Sequence, residues 1–238
     1  MPKNFLAASI GLLFVGSASA ATFSTNPAST GTIYEHPAPL GNFALTQSGS
    51  LTITPGSVSC NSASIHRENS YYRRLDLDTH FSATGTVTIS SVDFGIEAAT
   101  GAGGTQPVTV NLYAIPNAST LTLANLGAPI ATQAVAVVDA DAGTLKNVAI
   151  PASLNGLTHD LVVEILTPDG QPSGHSFFIG SNATASINPA GAPSFLRAPI
   201  CGVNEPTATS AIGFPNMNII IVANALSLPV SLQSFGID

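Results

Sequence analysis

An all-β fold, an antiparallel two-sheet β-sandwich of jelly-roll type, is the class this sequence predicts, and three observations predict it. Extended apolar runs recur between turn signals at intervals too short for intervening helices. Several runs alternate apolar and polar residues with the period of a half-buried strand. The composition is 45% apolar and only 8% charged, and its abundant Val, Ile and Thr suit a pleated, packed surface and not a disordered chain.

The first twenty residues read as an export signal. Lys3 gives a positive start, Phe5 to Val15 an apolar run, and Ala18-Ser19-Ala20 an A-x-A site, so cleavage is expected near Ala20-Ala21. The run is about half the ~20 residues that a membrane-spanning helix requires. Removing residues 1–20 from the 238 leaves 218, enough for one large sandwich. It also removes Lys3, so five basic residues face thirteen acidic ones and the formal charge of the mature chain is −8. Nucleic-acid binding needs a basic face, and this chain offers none.

Residues 21–48 are dominated by Ser, Thr, Gly, Pro and Asn and read as an irregular leader, with the sandwich expected over 49–223. An alternating run, Leu51-Thr52-Ile53-Thr54, stands near its start. Strands are expected at 71–77, 85–97, 108–115, 130–138, 145–150, 161–166, 176–180 and 217–223. In the second, Val87 and Ile89 share a face, the pattern slips at Ser90-Ser91, and Val92, Phe94 and Ile96 resume it, as a β-bulge would allow. Turn residues separate the runs, among them Thr100 to Gly104, Pro116-Asn117 and Pro168-Asp169-Gly170. One short helical turn is expected within 118–126, with Leu121, Leu123 and Leu126 covering a sheet edge. Residues 224–238 read as a C-terminal tail, and no apolar helix followed by basic residues suggests a membrane anchor in the mature chain.

Cys60 and Cys201 are the only cysteines. In an oxidising compartment such a pair is most simply a disulfide, closing a loop of ~140 residues. Two free thiols or half of a metal site are the competing readings, although neither cysteine has a second one at C-x-x-C spacing.

The segment from Asn69 to Leu77 holds two of the four tyrosines and two of the four arginines. As a strand it alternates Tyr71, Arg73 and Leu75 on one face with Tyr72, Arg74 and Asp76 on the other. Tyr71, Tyr72, Arg73 and Arg74 are therefore the candidate ligand-binding residues, with rings to stack on a sugar or peptide and guanidinium groups to donate hydrogen bonds. The competing reading is an internal Arg–carboxylate network with the rings in the core.

Asn69 to Arg73, Val92 to Glu97, Val110 to Tyr113, Leu161 to Glu164, Phe178 to Asn182 and Ala211 to Pro215 together resemble a module of secreted bacterial proteins. That module occurs alone or appended to exported peptidases and other surface proteins, and the resemblance spans about Ser59 to Ala223. It implies a β-sandwich accessory domain with a bridge at Cys60 and Cys201, and it supplies no catalytic residue.

Asp139-Ala140-Asp141-Ala142-Gly143 is the candidate metal segment, with alternate carboxylates and a glycine that suggest calcium. The third carboxylate and the distal Glu of an EF-hand are missing, so Asp76, Asp78 or Glu97 would have to add oxygens. The five histidines, His36, His66, His80, His159 and His175, lie too far apart for a zinc motif, and HExxH is absent. No GxSxG elbow is present, and Ser176 follows His175 on an expected strand, where neighbours point apart. Asp93 with Glu97, and Asp160 with Glu164, share faces but stand about 13 Å apart along an extended chain, too wide for a glycosidase pair. No catalytic residue is expected.

These observations point to a secreted or periplasmic, non-catalytic sandwich with a binding or adhesion role at the cell envelope, with carbohydrate or a surface protein as its partner. The alternative is a structural or matrix protein that self-associates through sheet edges, and a hydrolase is third. Exposed Tyr and Arg in a cleft would favour binding; long unpaired edges would favour assembly. A pocket joining His, carboxylate and Ser would favour the enzyme.

Overall fold

The computed structural model describes residues 20–26, 43–101, 103–227 and 229; the expected signal, apart from Ala20, and most of the expected tail lie outside them. In chain order the strands are β1 (Thr22–Thr25), β2 (Phe43–Thr46), β3 (Val58–Ser62), β4 (Ile65–His66), β5 (Asn69–Leu75), β6 (Thr86–Thr100), β7 (Thr105–Pro116) and β8 (Ala131–Val138). They continue with β9 (Thr144–Asn155), β10 (His159–Thr167), β11 (Ser176–Ile179), β12 (Ser181–Asn182), β13 (Phe195–Ala198), β14 (Val203–Ala208), β15 (Asn218–Ile219) and β16 (Ile221–Ser227). A single turn of helix, α1 (Leu123–Leu126), precedes β8.

The strands form an antiparallel two-sheet sandwich. One sheet runs β14-β13-β5-β10-β7-β8; the other runs β11-β6-β16-β2, with β9 also paired to β6. The shorter sheets β1-β3-β4 and β12-β15 are added to these. The strand orders establish the sandwich class.

Period-two runs became strands where the sequence marked them, from β5 to β11. Two differences are instructive. The leader is not wholly irregular, because β1 pairs with β3 and β2 pairs with β16, with Thr46 opposite Val222. The Leu51 to Thr54 run, by contrast, forms only the isolated bridge between Thr54 and Ser181. Four-residue strands whose partners lie far along the chain leave little local pattern.

The core lies between the sheets. Val87, Ile89, Val92, Phe94 and Ile96 of β6 meet Tyr71, Leu75, Val110, Leu112, Val163 and Ile165 of the facing sheet in one buried cluster. Each such apolar side chain contributes about 1.5–3 kcal/mol relative to exposure. The slip at Ser90 is a bulge: Ser91 pairs with Asn224 and Ile89 with Ala225, so two steps on β6 match one on β16. The bulge returns Val92, Phe94 and Ile96 to the inward face.

Where β16 and β11 meet along β6, two backbones touch. Gly180 N–H donates to Gly95 O at 2.7 Å, Gly95 N–H to Ile220 O at 3.0 Å, and a Cβ on Gly180 would stand 2.5 Å from Gly95. Only glycine fits this approach.

Cys60 in β3 is bonded to Cys201, in the 3-10 turn Pro199–Cys201 between β13 and β14, with Cα atoms 5.9 Å apart. A second apolar cluster covers the outer face of the six-stranded sheet: Leu121 and Leu126 pack on Tyr72, Tyr113, Ile115 and Val162. The α1 segment thus covers central strands and not a sheet edge, and Leu123 remains exposed.

Candidate functional site

The alternation expected along β5 is present, but both of its faces are covered. On the inner face Tyr71 and Arg73 are each 0% exposed. Tyr71 donates its hydroxyl to Val58 O at 3.2 Å. Arg73 donates from Nε to Ile219 O at 2.9 Å, and from Nη1 to Ala192 O at 3.1 Å and Ser186 Oγ at 3.2 Å. Burial pulls this guanidinium down to about 10. On the outer face Tyr72 is 1% exposed, packed in the apolar cluster of Leu121 and Leu126. Arg74 donates from Nε to Asp160 Oδ2 at 2.6 Å and from Nη1 to Ser119 O. Of the residues expected to bind a ligand, Tyr71 and Arg73 are therefore sealed between the sheets and Tyr72 lies under Leu121 and Leu126, while Arg74 stays partly exposed in its pair with Asp160.

The expected metal segment is also committed elsewhere. Asp141 Oδ2 accepts from Lys146 Nζ at 2.7 Å and from Val138 N–H at 2.9 Å, so it closes the β8–β9 turn. Asp139 is exposed in that turn. The 3-10 geometry of Asp139–Asp141 directs Asp141 back onto its own connection. Among the described residues, the carboxylates that do gather are Asp76, Asp78 and Asp160.

Three of the four same-face acids are satisfied one by one. Asp93 accepts from Asn147 and Asn224, each at 2.7 Å; Glu97 accepts from Ser57 N–H at 2.9 Å; and Glu164 accepts from Tyr113 Oη at 2.7 Å and Asn111 Nδ2 at 2.8 Å. The polar faces of both sheets are thus tied by amide–carboxylate ladders. His66 bonds through Nε2 to Pro168 O at 2.7 Å, and burial lowers its pKa. Ser173 Oγ lies 3.1 Å from His175 Nδ1, two residues away, and among the described residues no carboxylate is paired with that ring.

Two surfaces stand out among the described residues. The first is a groove of about 270 Å³ between three loops, lined by Thr54, Gly56, Asn182, Gly213, Phe214 and Asn216 among others. Phe214 is braced from behind by an edge-on contact with Phe23, with ring centroids 5.8 Å apart. The second is the β8 edge of the six-stranded sheet. Its eight residues, Ala131-Thr132-Gln133-Ala134-Val135-Ala136-Val137-Val138, include no charge and no proline, and Thr132, Gln133, Ala134, Ala136 and Val138 are exposed. The opposite edge, β14, carries Glu205 and Pro206; β9 carries Lys146 and Pro151. The lack of charge in β8 is visible in the sequence, but its position at an edge is not.

No helix among the described residues is long and apolar enough to cross a membrane. No protein-family model, curated protein or solved structure matches this chain.

Proposed function

We propose that this protein is an exported, non-catalytic β-sandwich that acts at the cell envelope by association, pairing with a second copy of itself through β8. One observation carries the reading: β8 is a long edge strand without the charge or proline that normally blocks pairing, and among the described residues no strand covers its outer edge. An antiparallel β8–β8 contact presents the same residues from each side, which suits a closed two-fold dimer. The burial of Tyr71, Tyr72 and Arg73 also moves the balance from ligand binding toward assembly. The likeness to an accessory module of secreted bacterial proteins accords with such a role.

The test is sedimentation of the mature protein across a concentration series, beside the double variant Ala134→Lys, Ala136→Lys. Both side chains are exposed, so the fold should persist while like charges meet across the edge. The expected result is a concentration-dependent dimer that the lysines abolish. A monomer at the highest soluble concentration, or a dimer indifferent to the lysines, rejects the reading.

A second reading, carbohydrate binding, rests on the groove, where the Phe214 ring sits among amide and hydroxyl groups. A glycan array with the mature protein, calcium supplied, separates the two. Binding that Phe214→Ala removes supports the groove, and failure to bind any glycan eliminates it.

A further inference from the structure

We propose that Asp76, Asp78 and Asp160 form a calcium site at one end of the six-stranded sheet. The topology creates it. β10 lies between β5 and β7, with Leu161 opposite Leu75 and His159 opposite Pro116. Asp160, the second residue of β10, therefore lies beside the two places where its neighbours leave the sheet. Asp76 and Asp78 follow β5, and Asn117 follows β7.

The three carboxylates offer oxygens that all lie within 4.8 Å of one another. Oxygens bound to one calcium at about 2.4 Å can be at most about 4.8 Å apart, a condition that all three pairs meet. The independent sign of a missing ligand is Asp160 itself. It is 1% exposed, Arg74 occupies its Oδ2, and its Oδ1 has no hydrogen-bond partner. A buried carboxylate oxygen without a donor costs free energy that a cation would recover.

The surrounding charge does not balance the cluster. Arg74 is committed to Asp160 and Ser119, and His80 Nδ1 lies 3.1 Å from Asp76 Oδ2. Asp76 and Asp78 offer oxygens within 4.8 Å of each other and of Asp160. A carboxylate pair this close needs a shared proton or a cation between its members. Asn117 donates from Nδ2 to Asp78 Oδ2 at 2.8 Å and so positions that carboxylate at the rim of the cluster.

Donor chemistry selects the ion. An all-oxygen set favours a hard cation over zinc or copper. Magnesium at about 2.1 Å would require oxygens within about 4.2 Å and near-ideal octahedral geometry, whereas calcium accepts a wider, less regular shell. Outside the cytoplasm, protein modules bind calcium at about 0.1–1 mM. The ion would tie together the ends of three adjacent strands.

The test titrates calcium chloride into chelator-treated mature protein by calorimetry and follows the melting temperature. Saturable binding in the range of about 0.1–1 mM is expected. A rise of about 3–6 °C should accompany a tenfold excess over the dissociation constant. Asp160→Asn should abolish both, but it also disturbs Arg74, so Asp78→Asn is the decisive variant: it sits in a partly exposed turn and should fold yet lose binding at least tenfold. Asp141→Asn, in the β8–β9 turn, should bind as the parent does. Absence of saturable binding at several times that range, calcium binding unchanged in Asp78→Asn, or magnesium binding as tightly as calcium overturns the site.

Discussion

Arg73 and Arg74 are adjacent on β5 and face opposite sides of one sheet, yet their charges are accommodated by different means. Arg73 is sealed between the sheets with no carboxylate among its partners in the described residues; it is held by the carbonyls of Ile219 and Ala192 and the hydroxyl of Ser186. Arg74 retains 22% of its side-chain exposure and pairs with a carboxylate that two further acids approach. The inner arginine is a clamp that ties distant loops to the core. The outer arginine neutralises part of a group whose remaining charge calls for another partner. Chemistry is therefore to be sought where the outer face of β5 runs out, and stability along its inner face.

Substitutions along the strand can break this contrast. Arg73→Ala should have the largest effect, about 3–5 kcal/mol in denaturant unfolding, because it opens a cavity and leaves buried acceptors without a donor. Arg73→Met should recover the packing part but not the hydrogen-bonded part. Arg74→Ala should cost less, about 1–3 kcal/mol, since the guanidinium is partly solvated and water can replace some of its contacts. A cost for Arg74→Ala equal to or above that for Arg73→Ala would show that the inner clamp has been misjudged. Tyr71→Phe should be the mildest, about 0.5–1.5 kcal/mol, because only the hydroxyl bond to Val58 is lost and the ring stays in place.

The same strand shows what could be read in advance. Alternation along Tyr71 to Asp76 gave the correct two faces, because side-chain direction in a strand is a local property. Burial of those faces is not local. Tyr72 is covered by Leu121 and Leu126 from a loop some fifty residues later, and the acceptors that Arg73 bonds come from residues beyond 185. Two arginines and two tyrosines in one run look the same whether a later segment covers them or not. Similarly, Asp76 and Asp78 were visible as a carboxylate pair, but Asp160 joined them only through the β5–β10 register. The Asp139-Ala140-Asp141 segment had the better local pattern and went to a lysine five residues away from Asp141. The β-runs from β5 to β11 were legible because each carries its own period, while β1, β2, β13 and β14 are short or irregular and depend on their partners.

The Cys60–Cys201 link has a mechanical meaning as well. It spans a sequence separation of 141 residues, so tension applied outside the two cysteines travels through sulfur and bypasses most of the sandwich. At about 3.4 Å per residue, roughly 480 Å of chain is withheld from extension while the bond is intact. The five antiparallel strands from β6 to β10 lie wholly within that shielded length. A pull could strip β1, β2, β14 and β16 away and still leave β13, β5, β10, β7 and β8 of the six-stranded sheet in one covalently closed loop.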